Sequence, residues 1–234
     1  MGITDRAVRL KIGIAAVASG ALAATAALAL AGSAGAATTG AAAAAAPSAG
    51  YQFVTLGSHH DRTFNQLLGV NNHDVAVGFF VNASGQARGY TFNINTHKFS
   101  RVTVPGAAGL GPSLTATAIN NRGDVAGFYN ATSTAVDGFL KIGGSFIKLA
   151  VPGATMTQAF GVNDSDWVVG TYTVSGGATH GFIWKPGHGF TLSIDDPSGV
   201  GTTLLNGIND ENDIVGFYTD PAGNTDGLLA YPAF

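Results

Sequence analysis

The chain has 234 residues, 46% of them apolar, with 34 Gly, no Cys and a formal charge of −3. Without Cys there is no disulfide scaffold and no lipoprotein anchor through an N-terminal Cys. A mildly acidic composition without a basic run argues against nucleic acid and anionic lipid as partners.

Residues 1–36 read as a secretory signal. Arg6, Arg9 and Lys11 outweigh Asp5, Ile12 to Ala31 is uncharged and apolar, and Ala34-Gly35-Ala36 is a small-x-small cleavage site ahead of Ala37. The rival reading, a retained membrane anchor, is weakened by a span made mostly of Ala and Gly. Cleavage takes the basic count from 11 to 8 and the acidic count from 14 to 13, leaving a secreted chain of charge −5 with no stable membrane anchor. Residues 37–50 form a low-complexity, Ala-rich linker. Residues 51–234 are one repeat domain, long enough for one ordinary hydrophobic core.

Within that domain one pattern recurs four times: an apolar residue, Asn, a polar turn, apolar residues, Gly and an aromatic. The copies start at Val70-Asn71, Ile119-Asn120, Val162-Asn163 and Ile208-Asn209, spaced by 49, 43 and 46 residues. Such a period signals stacked supersecondary units. Each copy predicts four short strands. The first ends just before the repeated Asn (65–70, 115–119, 158–162, 204–208), and the second runs through sequences such as Val125-Ala126-Gly127-Phe128-Tyr129. The third starts at Gly89, Gly138, Gly181 or Gly227, and the fourth starts at Phe99, Phe146 or Phe190. Helical periodicity is missing after residue 50.

The second strands are almost unbroken apolar runs, so both faces of the sheet should be covered. Gly69, Ala118, Gly161 and Gly207 place a small residue near the end of each first strand, as crowding at an axis requires. The fourth copy stops at Phe234 without a fourth strand, and Tyr51-Gln52-Phe53-Val54-Thr55-Leu56 supplies one with no preceding three. The expected fold is therefore all-β: a four-bladed β-propeller whose last blade is closed by the N-terminal strand.

Several motifs recur in the same order: Val104-Pro105-Gly106-Ala107, Val151-Pro152-Gly153-Ala154, Gly207-Ile208-Asn209-Asp210, Ile214-Val215-Gly216-Phe217-Tyr218 and His180-Gly181-Phe182. In these the chain resembles the bacterial extracellular repeat family named for its His-Ala-Phe triplet, across essentially all of 51–234. The triplet survives once, with Gly181 in place of Ala; the other copies read Arg88-Gly89-Tyr90, Asp137-Gly138-Phe139 and Asp226-Gly227-Leu228. The resemblance implies export and a propeller-like fold. It implies no activity and no catalytic residue.

Catalytic chemistry has little foothold. There is no Gly-x-Ser-x-Gly elbow, and Asp195-Asp196 is the only obvious carboxylate pair for a hydrolase. Of the 14 acidic residues 13 are Asp, which suits turn formation in a Gly- and Asn-rich β protein. Asp164-x-Asp166 and Asp210-x-Asn212-Asp213 lack the calcium-loop pattern, so no metal ligand and no cofactor is assigned. Arg122-Gly123-Asp124 spells an integrin-binding tripeptide but sits where the other copies have ordinary turns.

Asn71, Asn120, Asn163 and Asn209 recur in every copy, so a structural role in fixing the hairpin is expected. Residues that differ at equivalent positions are better binding candidates: Arg88, Asp137, His180 and Asp226, joined by His59, His60, Asp61, Asp195 and Asp196 at the same face. The reading is an exported, non-enzymatic, monomeric module that binds an extracellular carbohydrate, peptide or cell-wall component. The alternatives are an extracellular hydrolase acting on a polymer and a purely structural surface protein.

Overall fold

The computed structural model describes residue 56, residues 64–109 and residues 111–232. The expected signal segment, the linker, Tyr51 to Thr55 of the closing strand, and His59, His60 and Asp61 lie outside the described residues. Among the described residues every regular element is a strand.

The first repeat is β1 (Asn65–Val70), β2 (Val75–Val81), β3 (Ala87–Asn93) and β4 (Lys98–Arg101). The second is β5 (Leu114–Ile119), β6 (Val125–Asn130), β7 (Val136–Ile142) and β8 (Ser145–Leu149). The third is β9 (Ala154–Val162), β10 (Val168–Val174), β11 (Thr179–Lys185) and β12 (Gly189–Leu192). The fourth has three strands, β13 (Thr203–Ile208), β14 (Ile214–Thr219) and β15 (Thr225–Ala230). Each is an antiparallel meander of sequential neighbours. The fourth strands stop short of the prolines expected to end them.

The repeats do not form four separate sheets. A parallel pairing of Val136 with Met156 joins the second and third into one eight-stranded sheet, beside sheets of four and three strands. Elsewhere the contact is looser: Ala87 N donates to Ser113 Oγ at 3.0 Å, and Thr179 bridges Thr202 in parallel.

The first and second strands are shaped by one repeated device. Each first strand carries a register shift, between Leu67 and Gly69, Ala116 and Ala118, Gly161 and Ala159, or Leu205 and Gly207. Such a bulge bends the strand and increases its twist. The glycine opposite is then obligatory. A Cβ on Gly78, Gly127, Gly170 or Gly216 would land on the carbonyl oxygen of Gln66, Thr115, Gln158 or Leu204. The small residue after the bulge meets the following repeat. A Cβ on Gly69 would lie 3.3 Å from Ala118 Cα, and one on Gly161 would lie 3.0 Å from Gly207 Cα.

One ordinary core was expected from chain length, but the apolar residues form three clusters, each spanning two consecutive repeats. Val77 joins Leu114, Ala116 and Phe139; Ala126 and Leu140 join Ala159, Val168 and Phe182; Val169 joins Leu205, Ile214 and Leu228. A repeat that buries its face only against its neighbour is the energetic signature of a stacked array. The second strands are covered on both faces in β6 and β10, as expected, whereas β14 is mostly half-buried with Val215 exposed. The β1 strand is open as well, with Leu67, Leu68 and Val70 exposed.

The closed four-bladed ring is therefore not formed by the described residues. Among the described residues the sheets do not close, and the outer repeats leave Leu67, Val70, Val215 and Leu229 exposed.

Candidate functional site

The repeated Asn holds its own turn. Asn71 Oδ1 accepts from His73 N and Val75 N, Asn120 Oδ1 from Arg122 N and Asp124 N, and Asn163 Oδ1 from Ser165 N and Trp167 N. Asn209 Oδ1 accepts from Asp213 N at 2.8 Å. Asp74, Gly123, Asp166 and Asn212 sit at one position of this turn with φ of 58°, 84°, 59° and 69°, which Asp, Asn and Gly tolerate best.

The other end of each amide reaches into the next repeat. Asn71 Nδ2 donates to Asn120 O at 3.0 Å, Asn120 Nδ2 to Asn163 O at 3.1 Å, and Asn163 Nδ2 to Asn209 O at 3.0 Å. Neighbouring turns lace together beside this ladder: Asn72 N donates to Asn121 Oδ1, Asn121 N to Asp164 Oδ1, and Asp164 N to Asp210 Oδ1. Sequence reasoning found the turn role but missed the ladder. The recurrence was its signal, but the partner lies more than 40 residues away.

The Arg-Gly-Asp tripeptide is part of this structural network. Arg122 pairs with Asp124 at 3.2 Å and with Asp166 of the next repeat, and both carboxylates are buried. Burial is the main cause that pushes the Asp166 carboxyl above the ordinary carboxylate range, with the Arg122 hydrogen bond opposing and Asp124 reinforcing it. A buried Asp124 is not presented to a receptor. The carboxylates of Asp164 and Asp210 are likewise used as acceptors by neighbouring turns.

The variable third-strand positions each face an aromatic on the second strand in two-residue register: Phe80 with Arg88, Tyr129 with Asp137, Tyr172 with His180, and Tyr218 with Asp226. Their environments then diverge. Arg88 is 4% exposed and donates to the carbonyls of Gly111 and Pro112, besides bonding Gln86. Asp137 is 8% exposed and pairs with Lys148 at 2.8 Å. Neither presents its charge to solvent, so the expected four-residue recognition face is not assembled: the chain between repeats folds over the first position, and a fourth-strand lysine covers the second. Asp226 is exposed at the far end of the array.

Among the described residues, only the third repeat brings predicted site residues together. His180 Nδ1 lies 2.7 Å from Asp195 Oδ2, and Asp195 Oδ1 accepts from Gly181 N at 3.0 Å. A carboxylate beside Nδ1 selects the tautomer with the proton there, which leaves Nε2 as an acceptor on neutral histidine. The Tyr172 ring is 5.3 Å from the imidazole, and its hydroxyl lies 3.1 Å from Ser193 Oγ. Ser193 is held at φ 56°. The His180 and Asp195 side chains are 26% and 31% exposed, so the imidazole and carboxylate reach solvent, while the Tyr172 ring is 6% exposed and backs the imidazole from the core.

Asp196 does not join it. Its carboxylate accepts from Ser198 N at 2.8 Å and its own amide donates to Thr203 Oγ1, so it shapes the turn into the fourth repeat. Asp195 and Asp196 therefore both spend carboxylate oxygens on local structure. Of the two tryptophans, Trp184 packs against the central cluster, and Trp167 is half-buried beneath the Lys185 ammonium, 3.5 Å from its ring centroid. A cleft of about 380 Å³ lies at the open end of the array, lined by Glu211, Asp213, Leu229, Tyr231 and Pro232.

No protein-family model matches the chain, and no curated protein matches it. Among solved structures it is similar to a mutant of AofleA from Arthrobotrys oligospora, at 13% identity and a TM-score of 0.42, over 73% of this chain and 57% of that one. It is similar also to the fucose-specific lectin from Aleuria aurantia, at 12% identity and a TM-score of 0.42, over 75% of this chain and 65% of that one. The chain thus spans less than two thirds of the length of either. Likeness of this degree carries no structural argument, and the functional reading rests on the geometry of the chain itself.

Proposed function

We propose that the chain is an exported, non-enzymatic, propeller-like repeat protein of the His-Ala-Phe type that binds an extracellular carbohydrate, with the third repeat as its site. The observation that supports this reading is the His180–Asp195 pair beside Tyr172. The repeats share one framework, and at this point the framework carries a solvent-reaching imidazole and carboxylate backed by a buried aromatic ring. Polyhydroxylated ligands are held by such sets of fixed hydrogen-bonding groups, which give orientation; the buried Tyr172 ring serves as the wall behind the imidazole. Asp195 fixes the imidazole by one oxygen and is itself fixed by the Gly181 amide through the other. The imidazole is therefore preorganised, which lowers the ordering cost of binding. Export is part of the proposal: the secreted form begins at Ala37, and N-terminal sequencing of culture supernatant tests that part.

Binding is tested with residues 37–234 on a glycan, peptide and cell-wall array, alongside His180→Ala and Asp195→Ala. The expected result is retention on a carbohydrate that both variants lose. Retention unaffected by either variant, or retention on peptide alone, overturns the assignment.

A further inference from the structure

The two ends of the array expose the two halves of an interface that its interior repeats three times. At every internal junction, the first strand of one repeat packs across the sheet face of the repeat before it. The seat is a second-strand apolar residue and the first glycine of the third strand: Val77 with Gly89, Ala126 with Gly138, and Val169 with Gly181. The plug is the residue before the bulge, Ala116, Ala159 or Leu205. Seats and plugs are all sealed: Val77, Ala126, Val169, Ala116, Ala159 and Leu205 are each 0% exposed. A Cβ on Gly89 would lie 3.5 Å from Ala116 Cβ, and one on Gly181 would lie 2.8 Å from Leu205 Cδ1.

The fourth repeat has the same seat, and no described residue sits on it. Val215, equivalent to Val169, is 51% exposed, Leu229 is 65% exposed, and a Cβ on Gly227 would meet nothing within 4 Å. The cleft lined by Asp213, Leu229 and Tyr231 belongs to this open face. At the other end, Leu67 is the same plug with no seat, 47% exposed, flanked by exposed Val70. The ladder is interrupted at the same place. Asn209 Nδ2, which would donate to a following repeat, turns back to Asp213 Oδ2 at 3.1 Å.

We infer that the open face of the fourth repeat binds the first repeat of a second copy of this chain, head to tail. Continuity selects the occupant: the junction needs a bulged first strand with an apolar plug, a small residue beyond it and an Asn carbonyl for the ladder, and Leu67, Gly69 and Asn71 supply them. The chain's own first repeat is not seated there, since plug and seat are exposed together. A head-to-tail contact leaves one free half at each end of any open assembly, so it grows until a ring closes or a filament forms. This replaces the monomer expected from the sequence.

The experiment uses residues 37–234, which contain no Cys. Light scattering after size exclusion should give a mass above one protomer that rises with concentration. Gly227→Val should return it to one protomer that melts where the unsubstituted protein melts when diluted to one protomer, because the added methyls obstruct the seat and touch nothing described within the protomer. Mixing Leu67→Cys with Gly227→Cys should give a covalent heterodimer in excess over either homodimer, since the equivalent Cβ separation of 3.5 Å at Gly89 and Ala116 suits a disulfide. A protein of one-protomer mass at every concentration overturns the inference. So does a Leu67→Cys/Gly227→Cys double variant that cross-links only within itself, the outcome expected of a ring closed by one chain.

Discussion

The Asn120 side chain bonds two repeats at once: its Oδ1 accepts from Asp124 N at 2.8 Å, and its Nδ2 donates to Asn163 O, 43 residues on, at 3.1 Å. One buried amide thus closes a local turn and fastens it to the next. The bond to Asn163 O forms only if the repeats stack in register, so the same residue that shapes a repeat also sets the spacing between repeats. Inside the array the unpaired alternative would be a buried polar group, which costs far more than a hydrogen bond gains.

Asn120→Ala and Asn209→Ala should therefore differ. The first removes a part-buried bond to Arg122 N and buried bonds to Asp124 N, Asn163 O and Asp166 Oδ1. It should cost about 2–4 kcal/mol, since several buried partners lose their mates together. The second removes exposed bonds to Asp213 alone and should cost about 1 kcal/mol. Urea denaturation of residues 37–234 measures both. Equal losses would mean that the cross-repeat bonds contribute nothing.

Gly170→Ala should cost about 2–3 kcal/mol, because its Cβ would strike the Gln158 carbonyl in a packed sheet where the backbone must move. Gly227→Ala should leave stability within about 0.5 kcal/mol, as expected of an open surface position. Thermal melts of the pair, at a protein concentration where light scattering gives one protomer, decide the matter, and a costly Gly227→Ala there would show that its seat is occupied within the protomer.

Asp166 gives a pH dependence of defined sign. Its carboxyl is pushed up chiefly by burial, so between the ordinary Asp value and the raised one the folded chain holds more proton than the unfolded chain. Its contribution to stability is then present at the acid side of that window and falls as pH rises through it. Asp166→Asn should remove this slope and fold well, since the fourth repeat already has Asn212 at the same position with the same backbone geometry. Chemical denaturation from pH 4 upward compares the two, and an unchanged slope in the variant would exonerate Asp166.

His180→Ala should change stability by less than about 0.5 kcal/mol, as for other solvent-reaching positions, because Asp195 keeps its bond from Gly181 N. Asp195→Ala should cost more, about 1–2 kcal/mol, by stripping that amide of its acceptor. A large loss in His180→Ala would make the pair a structural clamp rather than a site.

The repeat period, the strand order within each repeat and the turn role of the Asn were legible in the sequence because they are local. Apolar runs, turn chemistry and the recurring Gly act over a few residues, and four copies state them four times. The same locality made Arg88, Asp137, His180 and Asp226 look equivalent. Only the tertiary structure distinguishes them, since Arg88 is covered by the chain at Gly111 and Pro112, Asp137 by Lys148, and His180 alone is held half-open by Asp195. Ring closure was beyond the sequence for a related reason. Each repeat encodes how it meets its neighbour, and identical junctions fit an arc, a ring or a chain of copies equally well. Which of these forms depends on the small rotation accumulated at each junction and on whether Leu67 finds Gly227, and those are properties of packing in three dimensions.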